Sequence, residues 1–124
     1  MTDHEKNLIA VICPAIQSKQ LIRFWYLNST NGIRDWRTVE PHIIGCFPRK
    51  HIQLSAWYLP TKEQGMVGHT ENWRTYLLKN ISDIQILDQK FELVRPDFDS
   101  TGGGMKEIFC VINKDRQAFM KINP

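Results

Sequence analysis

The sequence predicts a single, mostly β domain with one helix at its N-terminal end. The chain has 124 residues, a length that suits one domain. Its 42% apolar residues, including four Trp, are sufficient for a hydrophobic core. Several short runs rich in aromatic and β-branched residues are separated by Gly, Pro and Asn turn signals, which is typical of β proteins. We therefore expect residues 1–124 to form one domain.

The N-terminal segment has the apolar spacing of a helix. Residues 5–19 place their apolar side chains near positions i, i+3, i+4 and i+7, and Pro14 is expected to kink this helix or to move its start. Residues 21–27 predict a strand, which an Asn-Gly turn joins to a partner strand over residues 33–39. That partner is expected to end at Pro41, which cannot donate to a ladder.

The second half of the chain predicts further strands. Residues 51–59 alternate between two faces and stop at Pro60. Residues 73–78 predict another strand, after a long mobile loop over 61–72. For the apolar residues from Ile84 to Phe91, periodicity leaves strand and short helix open. The remaining predicted segments are a flexible joint over residues 96–104, and a second hairpin formed by residues 107–113 and 117–122.

Cysteine usage favours a reduced protein. Cys13, Cys46 and Cys110 are odd in number and far apart, and no C-x-x-C pair indicates a zinc or redox motif. The N-terminus has neither a basic segment before an apolar run nor a membrane-spanning stretch. We therefore predict a cytoplasmic protein that needs no metal, cofactor or disulfide and has no membrane partner.

The charge of the chain is unevenly distributed. The formal net charge is only +3, yet residues 19–50 carry six Lys or Arg against two acidic residues. Residues 81–100 carry five acidic residues against two basic ones. If the basic segment folds onto one face, an anion could dock there. An ordinary surface of mixed charge is the alternative.

Catalytic motifs are missing from the sequence. It contains no G-x-S-x-G elbow and no H-E-x-x-H helix. The three glycines at 102–104 lack the Gly-Lys-Ser/Thr of a phosphate loop and therefore indicate a linker. The remaining enzymatic alternative is His42 with Cys46, four residues apart. We predict that the chain is not an enzyme.

An ordered set of short motifs resembles the WYL domain family. Ala15-Ile16 in the helix, Tyr26 at the end of the first strand, residues 37–41 (Arg-Thr-Val-Glu-Pro) and residues 73–81 (Trp-Arg-Thr-Tyr-Leu-Leu-Lys-Asn-Ile) follow the family's order. The resemblance covers about residues 8–100, so that residues 101–124 would be a C-terminal strand extension. It implies an SH3- or Sm-like small β-barrel with an N-terminal helix. It also implies a regulatory role in bacterial transcription or phage defence, with nucleic acid or a nucleotide-like effector as ligand.

Two departures from the family pattern bear on function. The literal Trp57-Tyr58-Leu59 lies five residues from the family's own tripeptide, for which Ile52-Gln53-Leu54 is the better register, so the match in name is a coincidence. Leu77, Lys79 and Asn80 stand in a motif where the family carries Arg and Asp-Arg. The family's basic ligand-contact cluster is therefore reduced here, and the bidentate Arg fork at position 80 is lost.

The candidate site combines cations for phosphates with aromatic rings for base stacking, as single-stranded nucleic acid requires. Tyr26 could instead belong to the core. Arg37 and Arg74 could pair across the sheet with Glu40 or Glu71, and His42 could be a satisfied surface histidine without a ligand. The predicted ligand or nucleic-acid residues are Arg23, Tyr26, Arg37, His42, Arg74 and Lys79.

Two functions follow from this sequence. In the first, the chain senses single-stranded nucleic acid or a nucleotide-like effector, which requires Arg23, Arg37, Arg74 and Lys79 to converge on one surface. In the second, it is a protein-interaction or oligomerisation module that has lost its ligand. Apolar strand edges over residues 107–122 would then pair between subunits and give a homo-oligomer such as a dimer.

Overall fold

A computed structural model describes residues 1–113 of the chain as a helix packed on an antiparallel sheet. The prediction of a mostly β fold with an N-terminal helix is therefore confirmed. A 3₁₀ turn, Leu78–Asn80, joins the fourth strand to the fifth. The elements are α1 (Asp3–Ser18), β1 (Gln20–Leu27), β2 (Arg34–Cys46), β3 (Gln53–Tyr58), α2 (Lys62–Met66), β4 (Asn72–Leu77), β5 (Ile81–Lys90) and β6 (Glu107–Val111).

The sheet is open. Its strand order is β4-β3-β2-β1-β5, and β6 pairs with the second half of β2. Within residues 1–113 the end strands β4 and β5 do not pair with one another. A closed small barrel, as the family resemblance implies, therefore stays a prediction.

Helix α1 begins with a complete capping box. The Thr2 hydroxyl accepts from the backbone N–H of Glu5 at 3.1 Å, and the Glu5 carboxylate accepts from the backbone N–H of Thr2 at 2.9 Å. These two bonds satisfy donors that a helix start otherwise leaves unpaired. The helix runs through Pro14 to Ser18, so Pro14 does not move its start. Ile12 and Ile16 are fully buried against the sheet.

Strand β2 continues past Pro41, contrary to the prediction. Pro41 pairs with Ala56, and a bulge follows before Ile43 pairs with Ser55. A bulge tolerates a residue that has no N–H to donate, because the ladder is already interrupted there. The bulge adds His42 and reverses the side-chain alternation, so that Ile44 faces the core together with Leu54.

Two segments from the middle of the chain have more regular structure than predicted. The expected loop over residues 61–72 contains α2, whose start is capped by Thr61 and Gln64 in a second capping box. The segment that left strand and helix open is strand β5, and it pairs with β1. Because β5 is an end strand with few buried residues, its apolar spacing carries little information, and its hydrogen bonding to β1 decides that it is a strand.

The core lies between α1 and the sheet. The largest fully buried apolar side chains include Ile12, Ile16, Ile22, Phe24, Val39, Ile44, Leu54, Tyr58, Leu78 and Ile81.

Within residues 1–113, none of the helices has the length and apolar character that a membrane span requires.

Strand β6 lies close to β2 because position 45 has no side chain. A Cβ on Gly45 would lie 2.5 Å from the Glu107 carbonyl oxygen, well inside van der Waals contact. This pairing occupies one edge of the segment expected to pair between subunits. The second arm of the predicted C-terminal hairpin, residues 117–122, lies outside the described residues.

A disulfide joins α1 to β6, which corrects the prediction of a chain without one. Cys13 and Cys110 are bonded, with their Cα atoms 5.8 Å apart, and Cys46 is the free cysteine. Sequence spacing could not reveal this pair, because the two cysteines are 97 residues apart and only the packing of α1 against β6 brings them together.

We expect reduction of this disulfide to lower the free energy of unfolding by about 4 kcal/mol, because the bond closes a loop that includes most of the chain. Denaturant unfolding with and without a thiol reductant measures the difference. Cys46→Ser should leave the difference unchanged, whereas Cys13→Ser should abolish it. Three titratable thiols in the unreduced, unfolded protein would contradict the disulfide and agree with the reduced cytoplasmic setting predicted from the sequence.

Candidate functional site

A cleft of about 620 Å³ opens where the sheet is not closed. Its walls are the end of β1, the turn between β1 and β2, the first half of β2 and the strand β4. Tyr26, Arg37 and Arg74 all line this cleft. Three of the six residues predicted from the sequence are thus brought together.

Strand register explains why these three side chains meet. Residues directly opposite one another in an antiparallel ladder project from the same face. Arg37 is paired with the core residue Phe24, and Arg74 is paired with the core residue Ala56. Tyr26 lies two residues beyond Phe24 and shares its face. All three therefore project from the core side of the sheet, where it opens.

The two arginines flank a single aromatic ring. The guanidinium carbon of Arg37 lies 4.6 Å from the centre of the Tyr58 ring, and that of Arg74 lies 5.9 Å from it. Burial opposes the charge on Arg37, but its 2.8 Å bond to Asp35 raises the pKa of the guanidinium above its usual value. Arg74 is exposed and makes no ion pair within residues 1–113. The cleft therefore carries one uncompensated positive charge.

Two tyrosine hydroxyls add neutral donors to the cleft. Tyr26 accepts from the backbone N–H of Leu77 at 3.0 Å, which leaves its own O–H to donate. Tyr76 is 3% exposed, and its hydroxyl has no hydrogen-bond partner among the described residues. Burial raises the pKa of Tyr76 above its usual value, so this hydroxyl stays protonated. A buried hydroxyl without a partner is costly.

The turn between β1 and β2 contributes amide groups. The side-chain oxygen of Asn28 accepts from the N–H of Thr30 at 3.0 Å, and that of Asn31 accepts from the N–H of Ile33 at 2.9 Å. Both side-chain NH₂ groups are left to donate. Because guanidinium, hydroxyl and amide donors line the cleft, it suits a ligand rich in acceptors, such as a phosphate or a carboxylate.

Two of the predicted cations lie away from the cleft. Arg23 is on the opposite face of β1, where its guanidinium carbon lies 3.9 Å from the centre of the Trp36 ring and Gln85 accepts from it at 3.4 Å. Lys79 is on the 3₁₀ turn, with its Nζ 3.3 Å from Nε2 of His51. The four cations expected to converge are therefore divided between the cleft and two other places.

His42 is enclosed by aromatic side chains. It is fully buried; its Nδ1 donates to the Glu40 carbonyl at 2.8 Å, and its Nε2 accepts from the Arg95 N–H at 3.2 Å. The Arg95 guanidinium also binds both carboxylate oxygens of Glu40, at 2.6 and 2.7 Å. Both ring nitrogens are thus used, and His42 has none left to activate Cys46 or to contact a ligand. The rings around it are Trp73, Phe91 and Phe98.

Sequence reasoning missed the donors between the predicted cations. Tyr76 lies two residues after Arg74, so strand alternation alone would have placed both side chains on one face. The amides of Asn28 and Asn31 were interpreted only as turn formers. Nothing in the sequence indicated that this turn lies beside β4, because residues 32–71 fold between Asn31 and the start of β4.

Comparison with known proteins gives a likeness of fold. No family model matches the chain, and no curated protein matches it. Its structure is similar to part of the proteasome accessory factor B/C (PafBC) of Arthrobacter aurescens, with a TM-score of 0.59 and 20% sequence identity. The match covers 82% of this chain and 14% of that one. PafBC carries a WYL domain, so the likeness supports a WYL-like fold.

We expect the fold to lose stability as the pH falls from 6.5 towards 4. Burial, opposed by the bond to Glu40 and aided by Arg95, lowers the pKa of His42 to about 4. In the unfolded chain this histidine takes up a proton near pH 6.5, and in the fold it does not, so acid favours the unfolded state. The loss should reach roughly 3 kcal/mol below pH 4. Denaturant unfolding across this pH range measures it.

A matched pair of variants assigns this pH dependence. His42→Asn should flatten the slope, because it removes the titrating group. His51→Gln, on an exposed histidine, should preserve it. An unchanged slope in His42→Asn would show that another group is responsible.

We expect Tyr76→Phe to raise the free energy of unfolding by about 1 kcal/mol, because it removes a buried hydroxyl that has no partner. Tyr26→Phe should lower it by about the same amount, since the Leu77 N–H loses its acceptor. Denaturant unfolding of both variants beside the wild type tests this. Destabilisation by Tyr76→Phe would show that its hydroxyl is already bonded within the fold.

Proposed function

We propose that this chain is a regulatory binding domain of the WYL type and not an enzyme. Its cleft would bind an acceptor-rich anion, either a single-stranded nucleic acid or a nucleotide-like effector. The observation that supports this most directly is the convergence of Tyr26, Arg37 and Arg74 beside the unsatisfied hydroxyl of Tyr76. Binding of an anion would compensate the positive charge of Arg74.

Two independent similarities support the WYL assignment. The motifs from Ala15 to Ile81 follow the order of the family, and the fold is similar to part of PafBC. The resemblance to the family carries the proposed setting, regulation of bacterial transcription or of phage defence. The chain spans 14% of the length of PafBC, so the likeness concerns the fold of one part of that protein and not its activity.

The size of the cleft limits the part of a ligand that it can enclose. Its volume is within the range of about 300–1,000 Å³ found for small-molecule sites. One nucleotide unit, or the end of a single strand, would fill it. The exposed Arg74 guanidinium suits the phosphate, and the amide donors of Asn28 and Asn31 suit the acceptors of a base or a sugar.

We expect Arg74→Ala to weaken the binding of a labelled single-stranded oligonucleotide by about tenfold and to reduce the salt dependence by about one phosphate contact. Arg74 is exposed, so its loss should not disturb the fold. Fluorescence anisotropy with DNA and RNA oligonucleotides and with a labelled nucleotide, at low and moderate salt, measures the effect.

The chain offers two matched controls for this experiment. Arg23→Ala and Lys79→Ala remove one cation each from outside the cleft and should change the affinity by less than about twofold. Equal losses in all three variants would indicate diffuse attraction to a basic surface and contradict the cleft. No binding of any probe by the wild type would reject the proposed function.

A further inference from the structure

The outer edge of β4 presents main-chain groups at Trp73 and Thr75 that have no partner among the described residues. The Leu77 N–H donates to the Tyr26 hydroxyl and therefore points away from β3. In a strand, alternate residues point their N–H and C=O groups to the same side. The main-chain groups of Trp73 and Thr75 therefore also lie on the outer side, where β4 has no neighbouring strand within residues 1–113.

Two cavities flank this edge, one on each face of β4. On the core side is the cleft with Arg37 and Arg74. On the other side is a smaller cavity of about 190 Å³, with the apolar side chains of Ile43, Trp73 and Phe98 in its wall. Arg74 and Thr75 line both cavities, so the strand edge separates them.

We propose that β4 binds an extended peptide of a partner protein by strand addition, and that acidic and apolar residues alternate in this peptide. A free strand edge offers the repeating donors and acceptors of a ladder, and pockets on its two faces select alternate side chains of the added strand. Side chains on the core side would meet Arg74 and Arg37, which favours Asp or Glu there. Side chains on the other side would enter the smaller cavity, which favours an apolar residue.

Charge fixes the register of the added strand. The exposed carboxylate of Asp97 stands at the wall of the smaller cavity and would repel an acidic side chain. A shift of the peptide by one residue would place every acidic residue on this side and every apolar residue beside the arginines. Only one of the two facings is therefore compatible with the charges.

This inference goes beyond the proposed function and does not depend on it. The peptide needs the main chain of β4, whereas a nucleotide needs only the side chains of the cleft. Both ligands would contact Arg74, so they would compete where both bind. The protein-interaction alternative derived from the sequence thus gains a specific surface, at β4 and not at residues 107–122.

The test compares Thr75→Pro with Thr75→Ala. Proline removes an N–H that points outward on an end strand, where it takes no part in the ladder with β3 and proline is tolerated. The probe is a short fluorescein-labelled peptide of alternating Glu and Leu, and fluorescence anisotropy measures its binding. We expect Thr75→Pro to bind the peptide about tenfold or more weakly than Thr75→Ala does, because both variants lack the threonine side chain and only proline lacks the N–H that strand addition needs. Circular dichroism verifies the fold of both variants.

A second arm needs no variant of the protein. The same peptide with N-methyl groups on alternate amides can no longer pair along one edge. One of its two methylation frames should lose binding, and the other should retain it. If Thr75→Pro does not fold, the N-methylated peptides still test whether binding depends on main-chain pairing with β4.

Three results would overturn the inference. Equal binding of the peptide by Thr75→Pro and Thr75→Ala would exclude main-chain pairing. Equal binding of a peptide with its Glu and Leu residues in separate blocks would indicate simple charge attraction. Absence of peptide binding by the wild type would also overturn it. If Thr75→Pro then lost oligonucleotide binding as well, the edge would be assigned to the nucleic acid. Failure of the oligonucleotide experiment alone leaves the peptide result unaffected.

Discussion

The long strand β2 is the constraint on which the rest of this structure depends. It pairs with β1 along its first half, with β6 along its second half and with β3 along its opposite edge. The bulge after Pro41 reverses the side-chain alternation, so Arg37 and Ile44 both face the core side although they are seven residues apart. Without that reversal, one half of the strand would place polar residues in the core.

The bulge is held by the cluster around His42. A neutral imidazole between two backbone partners, with a bidentate Arg95–Glu40 pair beside it, leaves no unpaired charge in a buried place. The segment after β5 supplies Phe91, Arg95 and Phe98 to this cluster. Burying such a network is favourable only when every member is satisfied, and here both ring nitrogens of His42 and both carboxylate oxygens of Glu40 have partners.

The groups at the open end of the sheet would contribute to ligand binding and not to the stability of the isolated domain. At the cleft, the Tyr76 hydroxyl has no hydrogen-bond partner, the Arg74 guanidinium has no ion-pair partner and the outer edge of β4 has no neighbouring strand among residues 1–113. Of these, only the buried Tyr76 hydroxyl costs stability in the isolated domain, because water can solvate the exposed guanidinium and strand edge. A sequence selected only for stability would close the open end of the sheet, for instance by pairing β4 with β5. Such a closed sheet would lack the site.

The sequence by itself determined the helix, most strands and the side of β3 that enters the core, because these follow from local periodicity and turn chemistry. It also identified Tyr26, Arg37 and Arg74, which stand in motifs of the WYL type. Only the tertiary structure decided that β2 passes through Pro41, that Cys13 meets Cys110 and that Arg23 faces away from Arg37. Each of these depends on contacts between segments distant in sequence, whose free energy exceeds the local preferences that a sequence pattern expresses.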